Sequence, residues 1–263
     1  MIKTVIFDID GTMYDYDTCN RLALDALERY AASELSLPGE EFRRLLKEGD
    51  RLMVSRMGHS GASIHNRLIR YQCTLELAGR PVFPHAMKMY RVYWDALLGA
   101  VRPYDGIADW MAQLRAQGIG VGVGSNMTAY MQYRKLELME LGGLIDWIVT
   151  SEEAGSEKPE LRIFEQCIAK SGAAPEECLF VGDSMKHDVT GAAAAGLHTL
   201  LFDPAGKYAA CEAAGTQETT AGKCESAAAR EAMSQGVVRA DRIIRSYAEC
   251  LEPGFLSTFG GPL

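Results

Sequence analysis

The first twelve residues contain a short apolar run that ends abruptly in two carboxylates. Residues 5–7 are valine, isoleucine and phenylalanine, a pattern typical of a strand that is buried on both faces of a parallel sheet. Asp8 and Asp10 follow directly, before a glycine. Ligands of open α/β sheets bind at the carboxyl ends of the strands. The two acids therefore indicate a site, although an Asp/Gly turn after a core strand is the alternative.

The pattern changes after Thr12. From residue 17 to about residue 98, apolar residues recur at helical spacing, as Tyr90 and Trp94 do, and no strand pattern is found. Glycine and proline divide this stretch into about four helices, with breaks at 38–39, 58–61 and 79–81. We predict a helical bundle over 16–100, inserted into a core formed by 1–15 and 101–263. The alternative is that these helices belong to the core itself.

Helical and strand patterns alternate after residue 106. Four further short apolar runs are predicted to be strands, at 119–124, 147–150, 178–181 and 199–202. This alternation predicts an α/β fold with a doubly wound parallel sheet and right-handed crossovers. The carboxyl ends of all the strands would then lie at one edge, beside Asp8.

The end of the chain is less regular. Residues 204–235 are rich in alanine, glycine, threonine and glutamate, and they could form a loop, an Ala-rich helix or a contact surface. Residues 237–241 predict a return to the core, and a final helix is expected from Arg242 to about Leu251.

Polar side chains follow the predicted strands at the shared edge. They are Ser125, Asn126, Lys158, Asp183, Ser184 and Asp188. Each could be a helix cap or a loop residue. Together they bring a hydroxyl, an ammonium and carboxylates to the edge that carries Asp8, which indicates a binding site.

This set of groups suits phosphate chemistry. Clustered carboxylates repel one another and lose solvation, so they require a cation, and a site made only of oxygen ligands suits Mg²⁺. Lys158 and Ser125 could hold anionic oxygens. Asp8 could attack phosphorus as a nucleophile, while Asp10 could donate and accept the proton.

Composition limits the classes of partner. The 263 residues are 48% hydrophobic and 24% charged, and the net charge of −8 argues against broad nucleic-acid binding. No apolar run approaches a membrane span, and no signal-peptide pattern begins the chain. The seven cysteines have no metal-like spacing, so free thiols are expected. These features predict a cytoplasmic protein without a membrane partner; the sequence does not specify an oligomeric state.

Four motifs in order resemble those of the haloacid dehalogenase superfamily of phosphohydrolases. They are Asp8-Ile9-Asp10-Gly11-Thr12, Gly124-Ser125-Asn126, Lys158-Pro159, and the segment 182–188 with its flanking small residues. The resemblance extends over nearly the whole core. It implies a Rossmann-like core with a helical cap inserted after the first motif.

The resemblance also implies roles for individual residues. Asp8 would be the nucleophile and Asp10 the general acid/base, with Ser125 and Lys158 completing the catalytic set. Thr12, Ser125, Asn126 and Lys158 would bind substrate, and the Mg²⁺ ligands would be Asp8, Asp10, Asp183 and Asp188.

The second acid of the first motif separates two chemistries. Dehalogenating members of that superfamily lack it, whereas Asp10 is present here, which favours hydrolysis of phosphate esters of small metabolites. A sugar phosphomutase, a 2-haloacid dehalogenase and a non-catalytic binding module are the alternatives. Nucleotides, sugar phosphates and phosphoglycolate-like acids all remain candidate substrates.

Selectivity is expected to come from polar residues of the helical insertion, because it would close over the cleft. The candidates are Arg56, His59, His65, Asn66, Arg67 and Arg70.

Overall fold

A six-stranded parallel sheet forms the centre of the molecule. The structure, a computed structural model, describes residues 1–58, 62–208 and 239–259. The strands are β1 (Thr4–Phe7), β2 (Gly120–Ser125), β3 (Trp147–Thr150), β4 (Cys178–Gly182), β5 (His198–Phe202) and β6 (Arg242–Ile244). Their order is β3-β2-β1-β4-β5-β6, and every neighbouring pair is parallel. β1 is therefore central. The carboxyl ends of all six strands lie at the same edge of the sheet, where Asp8 follows β1.

Four helices follow β1 before residue 101. They are α1 (Tyr16–Glu34), α2 (Gly39–Met57), α3 (Arg67–Leu77) and α4 (His85–Ala100). α1 packs on α4, and α3 packs on both α2 and α4. We call these helices the four-helix segment. The segments that precede and follow these helices lie side by side, since Tyr104 N donates to the Met13 carbonyl at 2.8 Å.

The remaining helices cover the sheet. They are α5 (Ile107–Ala116), α6 (Ala129–Leu138), α7 (Ser151–Ala154), α8 (Leu161–Ser171) and α9 (Thr190–Ala194). Short 3-10 turns occupy Ala62–His65, Gly142–Leu144, Pro175–Glu177, Tyr247–Leu251 and Phe255–Thr258, and a π-helical turn occupies Met185–Val189. Among the described helices, none combines the length and the apolar character needed to cross a bilayer.

Alternation along β1 explains why helices pack on both faces of the sheet. Phe7 faces one apolar cluster, where its ring meets the Trp110 ring edge-on at 5.2 Å. Ile6 faces a second cluster, in which Phe164 and Phe180 pack at 5.1 Å. Successive strand residues point to opposite faces, so a continuous apolar run satisfies two cores at once. The predicted doubly wound α/β fold is confirmed.

The prediction of a final helix over 242–251 is wrong. Arg242–Ile244 is instead the edge strand β6, and only Tyr247–Leu251 is helical, as a 3-10 turn. Two adjacent isoleucines favour a strand, and β5 offers them a free edge: Ile243 and Ile244 pair with Leu201 and Phe202. The predicted return to the core at 237–241 lies only partly within the described residues, and nearly all of 204–235 lies outside them.

Candidate active site

Asp8, at the end of β1, is held by donors from two other segments. Ser125 Oγ donates to Asp8 Oδ1 at 2.8 Å, and Lys158 Nζ donates to the same oxygen at 2.6 Å. Ser125 is the last residue of β2, the strand beside β1, which explains how a residue 117 positions away reaches it. The other oxygen, Oδ2, accepts only a long contact of 3.5 Å from Thr12 Oγ1 among the described residues.

Lys158 lies buried between two carboxylates. Its ammonium is 2.6 Å from Asp8 Oδ1 and 2.6 Å from Asp188 Oδ1. Burial disfavours the charged ammonium, but Asp188 and Asp8 outweigh that effect and raise the pKa of Lys158. The Asn126 amide brackets the lysine backbone, because Oδ1 accepts from Lys158 N at 2.8 Å and Nδ2 donates to its carbonyl at 3.3 Å. Asn126 therefore positions Lys158.

Three carboxylates meet beside this lysine. Oxygens of Asp8, Asp183 and Asp188 all lie within 4.8 Å of one another. Burial raises the pKa of Asp8 to about 6 and that of Asp183 to about 7, with the neighbouring acids adding to the rise. Thr12 Oγ1 lies between Asp8 and Asp183, 3.4 Å from Asp183 Oδ1, and its single proton can serve only one of them at a time. One ammonium does not neutralise three acids, and a donor set of oxygens alone fits Mg²⁺.

Two glycines allow the acids to approach the backbone. A Cβ atom at position 11 would lie 2.5 Å from Asp183 Oδ2, and one at position 182 would lie 2.3 Å from Asp188 Cγ. Gly11 also has a φ of +85°, which glycine adopts without steric cost. The first and fourth motifs are thus packed against each other with no room for a side chain.

Asp10 belongs to a separate pair that sequence reasoning missed. Lys135 Nζ lies 2.6 Å and 2.7 Å from the two oxygens of Asp10. Tyr14 Oη also donates to this carboxylate, and Gln132 Nε2 does so at 3.4 Å. Burial would raise the pKa of Asp10, but Lys135, with help from Tyr14 and Gln132, lowers it overall.

Gln132 links the Asp10–Lys135 pair to the group of residues around Asp8. Its amide nitrogen also donates to Ser125 Oγ at 2.7 Å. Gln132 and Lys135 are three positions apart on α6, so they share a helix face, and both are completely or almost completely buried. The sequence offered one signal for this pair. A glutamine and a lysine lie on the buried face of the helix that follows the second motif.

Two of the candidates from the helical insertion pair within their own segment. Arg56 Nη1 lies 2.7 Å from Glu76 Oε2, and Arg70 Nη2 lies 2.7 Å from Asp50 Oδ1. His59 lies outside the described residues.

The other three candidates lie at the start of α3. Asn66 caps that helix by accepting from Ile69 N at 3.1 Å. His65 Nε2 lies 2.6 Å from Oε1 of Glu157, the residue that precedes Lys158. The Arg67 guanidinium packs over the rings of Tyr93 and Trp94. Among the described candidates, His65 therefore contacts the loop that carries Lys158.

Comparisons with known proteins agree with this arrangement. A family model described as haloacid dehalogenase-like hydrolase matches residues 2–196. The chain is 33% identical over 216 residues to the ribulose-1,5-bisphosphate 5-phosphatase of Halopiger xanaduensis, which covers 81% of this chain and 90% of that protein. It is 32% identical over 204 residues to the glyceraldehyde 3-phosphate phosphatase of Methanothermobacter thermautotrophicus, covering 77% and 86%. The sequence-based prediction of a phosphatase agrees with these names.

Solved structures show the same fold. A 2-haloacid dehalogenase from Pseudomonas syringae superposes with a TM-score of 0.69 at 20% identity and covers 99% of this chain and 100% of that one. A HAD phosphatase from Thermococcus onnurineus gives 0.62 at 22% identity, with 94% and 95% covered. Since the family model spans most of the sequence and the relatives align over most of both chains, the chain belongs to the haloacid dehalogenase-like hydrolase family.

Proposed function

We propose that the chain is a Mg²⁺-dependent phosphohydrolase that cleaves phosphate monoesters of small metabolites through an aspartyl-phosphate on Asp8. The observation that carries this proposal is the double anchoring of Asp8 Oδ1 by Ser125 and Lys158, which fixes the carboxylate at the edge of the sheet. The names of the relatives, which include phosphatases of a sugar bisphosphate and of a triose phosphate, support the substrate class.

In the first half of the reaction, Asp8 attacks the phosphorus. The bond from phosphorus to the ester oxygen breaks, and the alcohol leaves with a proton from Asp10. Lys158 and Ser125 then hold the phosphoryl oxygens as their charge changes. In the second half, water attacks the aspartyl-phosphate and releases inorganic phosphate and the free Asp8 carboxylate.

Asp10 moves the proton in both halves. Without substrate, Lys135 holds it as a carboxylate, since both of its oxygens face the ammonium. A phosphate dianion beside Asp8 adds negative charge near Asp10 and raises its affinity for a proton, which prepares it to protonate the leaving oxygen. Once the alcohol has left, Asp10 accepts the proton of the attacking water.

Asp8, Asp183 and Asp188 are the side chains that would hold the metal ion, and the family resemblance adds Asp10. When bound, Mg²⁺ supplies positive charge that balances the carboxylates and the incoming phosphate. Asp8 and Asp188 are already paired with Lys158, whereas Asp183 has no cation within 4.0 Å among the described residues. Asp183 therefore gains most from the ion.

The four-helix segment serves as a cap in this proposal, with residues 16–100 forming a cap and 1–15 with 101–263 forming the core. His65 touches Glu157 beside Lys158, so the start of α3 reaches the loop that carries a catalytic residue. A cap in this position would exclude water from the aspartyl-phosphate.

The test is release of inorganic phosphate from a panel of phosphorylated metabolites, with Mg²⁺ and with a chelator, and with Asp8→Asn protein as the control. We expect release that needs the metal and disappears in the variant. Release by folded Asp8→Asn protein would rule out the covalent mechanism. A phosphomutase would instead transfer phosphate between sugar positions faster than it releases phosphate to water.

A further inference from the structure

A cleft separates the four-helix segment from the core beside the candidate active site. Its volume is about 670 Å³, and it is lined by His65, Arg67 and Trp94 on one side and by Met127, Met131 and Glu152 on the other. A cleft of this size can hold a small metabolite. None of the acids of the site lines it, so it would receive a part of the substrate away from the reacting phosphate.

Arg67 is a partly buried cation in the wall of this cleft. Its guanidinium lies 4.0 Å from the ring centre of Tyr93 and 5.3 Å from that of Trp94. Its neutral hydrogen-bonding neighbours are the hydroxyls of Tyr16, which accepts from Nη2 at 3.3 Å, and of Tyr71. Across the described parts of the chain, no carboxylate lies within 4.0 Å of it, although arginines 56 and 70 of the same segment each have one.

Stacking on aromatic rings does not satisfy this arginine. The rings cover the faces of the guanidinium, whereas its five N–H donors lie in its plane. Arg67 itself lines the cleft. A guanidinium without a carboxylate beside it carries a positive charge that is not balanced, and its planar N–H donors match the oxygens of a carboxylate or a phosphate. The cleft therefore favours an oxyanion.

Arg67 lies within reach of the reacting end of a short substrate. Lys135 and Arg67 both contact the Trp94 ring, because Lys135 Nζ is 5.9 Å from the ring centre and the Arg67 guanidinium is 5.3 Å from it. Lys135 in turn holds Asp10. The Asp10–Lys135 pair and Arg67 are therefore about one aromatic ring apart. A metabolite of a few carbons can span that distance.

We propose that the cleft around Arg67 binds a second oxyanion of the substrate, a phosphate or a carboxylate at the end opposite the phosphate that is cleaved. This inference rests on the proposed phosphatase function and narrows it to substrates with two anionic ends. Removing one side of a buried charge pair raises the rate of dissociation, so loss of Arg67 raises KM for such substrates more than it lowers kcat.

The experiment compares matched substrates with the full-length protein and Mg²⁺. One pair is 3-phosphoglycerate and glycerol 3-phosphate, which differ by a carboxylate in place of an alcohol. The other pair is ribulose 1,5-bisphosphate and ribulose 5-phosphate, which differ by a second phosphate. 4-Nitrophenyl phosphate, which has no second anion, reports whether the chain hydrolyses phosphate esters at all.

We expect the wild-type protein to favour the doubly anionic member of at least one pair by about tenfold or more in kcat/KM, a difference of about 1.4 kcal/mol. Whichever pair shows the preference identifies the oxyanion. Arg67→Met keeps an apolar chain against the rings and is expected to abolish the preference, while Arg67→Lys restores part of it. Arg56→Met, which removes an outward-facing arginine of the same segment, is the matched control and keeps the preference.

Two results overturn the inference while the proposed function stands. The first is equal kcat/KM within both pairs for wild-type protein. The second is a preference that survives in folded Arg67→Met protein. If wild-type protein with Mg²⁺ releases no phosphate from any compound, including 4-nitrophenyl phosphate, the proposed function fails, and the inference fails with it.

Discussion

Both carboxylate oxygens of Asp10 face a single ammonium group, that of Lys135, at 2.6 Å and 2.7 Å. The lysine side chain is 1% exposed and the aspartate 24%. The pair joins the segment after β1 to the last turn of α6, 125 positions apart. Because two contacts fix the plane of the carboxylate, Lys135 positions the group that we propose as general acid/base.

Replacing this lysine is expected to impair catalysis more than folding. Lys135→Met leaves Asp10 without its cation, so we expect kcat to fall by roughly ten- to a hundredfold, within the usual contribution of acid–base catalysis. The loss of stability should be smaller than the roughly 3–5 kcal/mol typical of breaking a fully buried pair, because Asp10 is partly exposed. Steady-state kinetics and chemical denaturation measure the two effects.

Arg134→Met is the matched control, because this neighbouring residue on α6 is exposed and its pairing with Glu137 is at 3.8 Å. It should leave kcat unchanged. An unaltered kcat in folded Lys135→Met protein would show that Asp10 does not depend on the lysine.

Substitution of Gly11 is expected to weaken metal binding. In Gly11→Ala the new Cβ would lie 2.5 Å from Asp183 Oδ2, so the carboxylate must move away from the other two acids. We expect the Mg²⁺ concentration for half-maximal activity to rise by roughly ten- to a hundredfold, as when the support of a ligand is disturbed. Titration of activity with Mg²⁺ measures this.

The strain of a left-handed residue needs its own control. Gly118 has a φ of +73° and nothing within 4 Å of its Cβ position, so Gly118→Ala carries a similar backbone penalty, of roughly 1–2 kcal/mol, without touching the site. Equal requirements for Mg²⁺ in the two variants would contradict the role given to Gly11.

The Asp8→Asn variant should separate activity from stability. Burial raises the pKa of Asp8 to about 6, which means that the fold favours the neutral side chain. A neutral amide of the same shape should therefore leave the free energy of unfolding of the metal-free protein unchanged or raise it, while phosphate release disappears. A large loss of stability would contradict the cause assigned to the raised pKa.

The metal-free protein should lose stability as the pH rises from about 3.8, the ordinary pKa of an aspartate, to the range of about 6 to 7, where Asp8 and Asp183 ionise in the folded state. A carboxyl group whose folded pKa is raised stabilises the fold below its unfolded pKa, and that contribution is lost as it ionises. Metal binding needs the ionised form, so Mg²⁺ should raise the melting temperature more above this range than below it. Thermal unfolding with Mg²⁺ and with chelator, across pH, measures both trends, and a Mg²⁺ effect independent of pH would contradict them.

The central architecture of this protein can be predicted from the pattern of its apolar residues. The run at 5–7 and the four later apolar runs marked five strands, since the burial of both faces of a parallel strand is recorded in its own residues. Their shared direction then placed Asp8, Ser125, Lys158 and Asp183 at one edge. The apolar residues of each segment were sufficient to predict these strands, because a buried parallel strand can be recognised from its own side chains.

The pairing of the polar side chains, in contrast, depends on contacts that form only in the folded protein. Lys135 could have been an ordinary helix lysine, and β6 became a strand because β5 had a free edge. The Asn126 amide meets a backbone 32 positions away, and Arg67, unlike Arg56 and Arg70, has no carboxylate beside it among the described residues. Such contacts depend on which surfaces the fold brings together, and the periodicity of one segment carries no information about a partner more than a hundred residues distant.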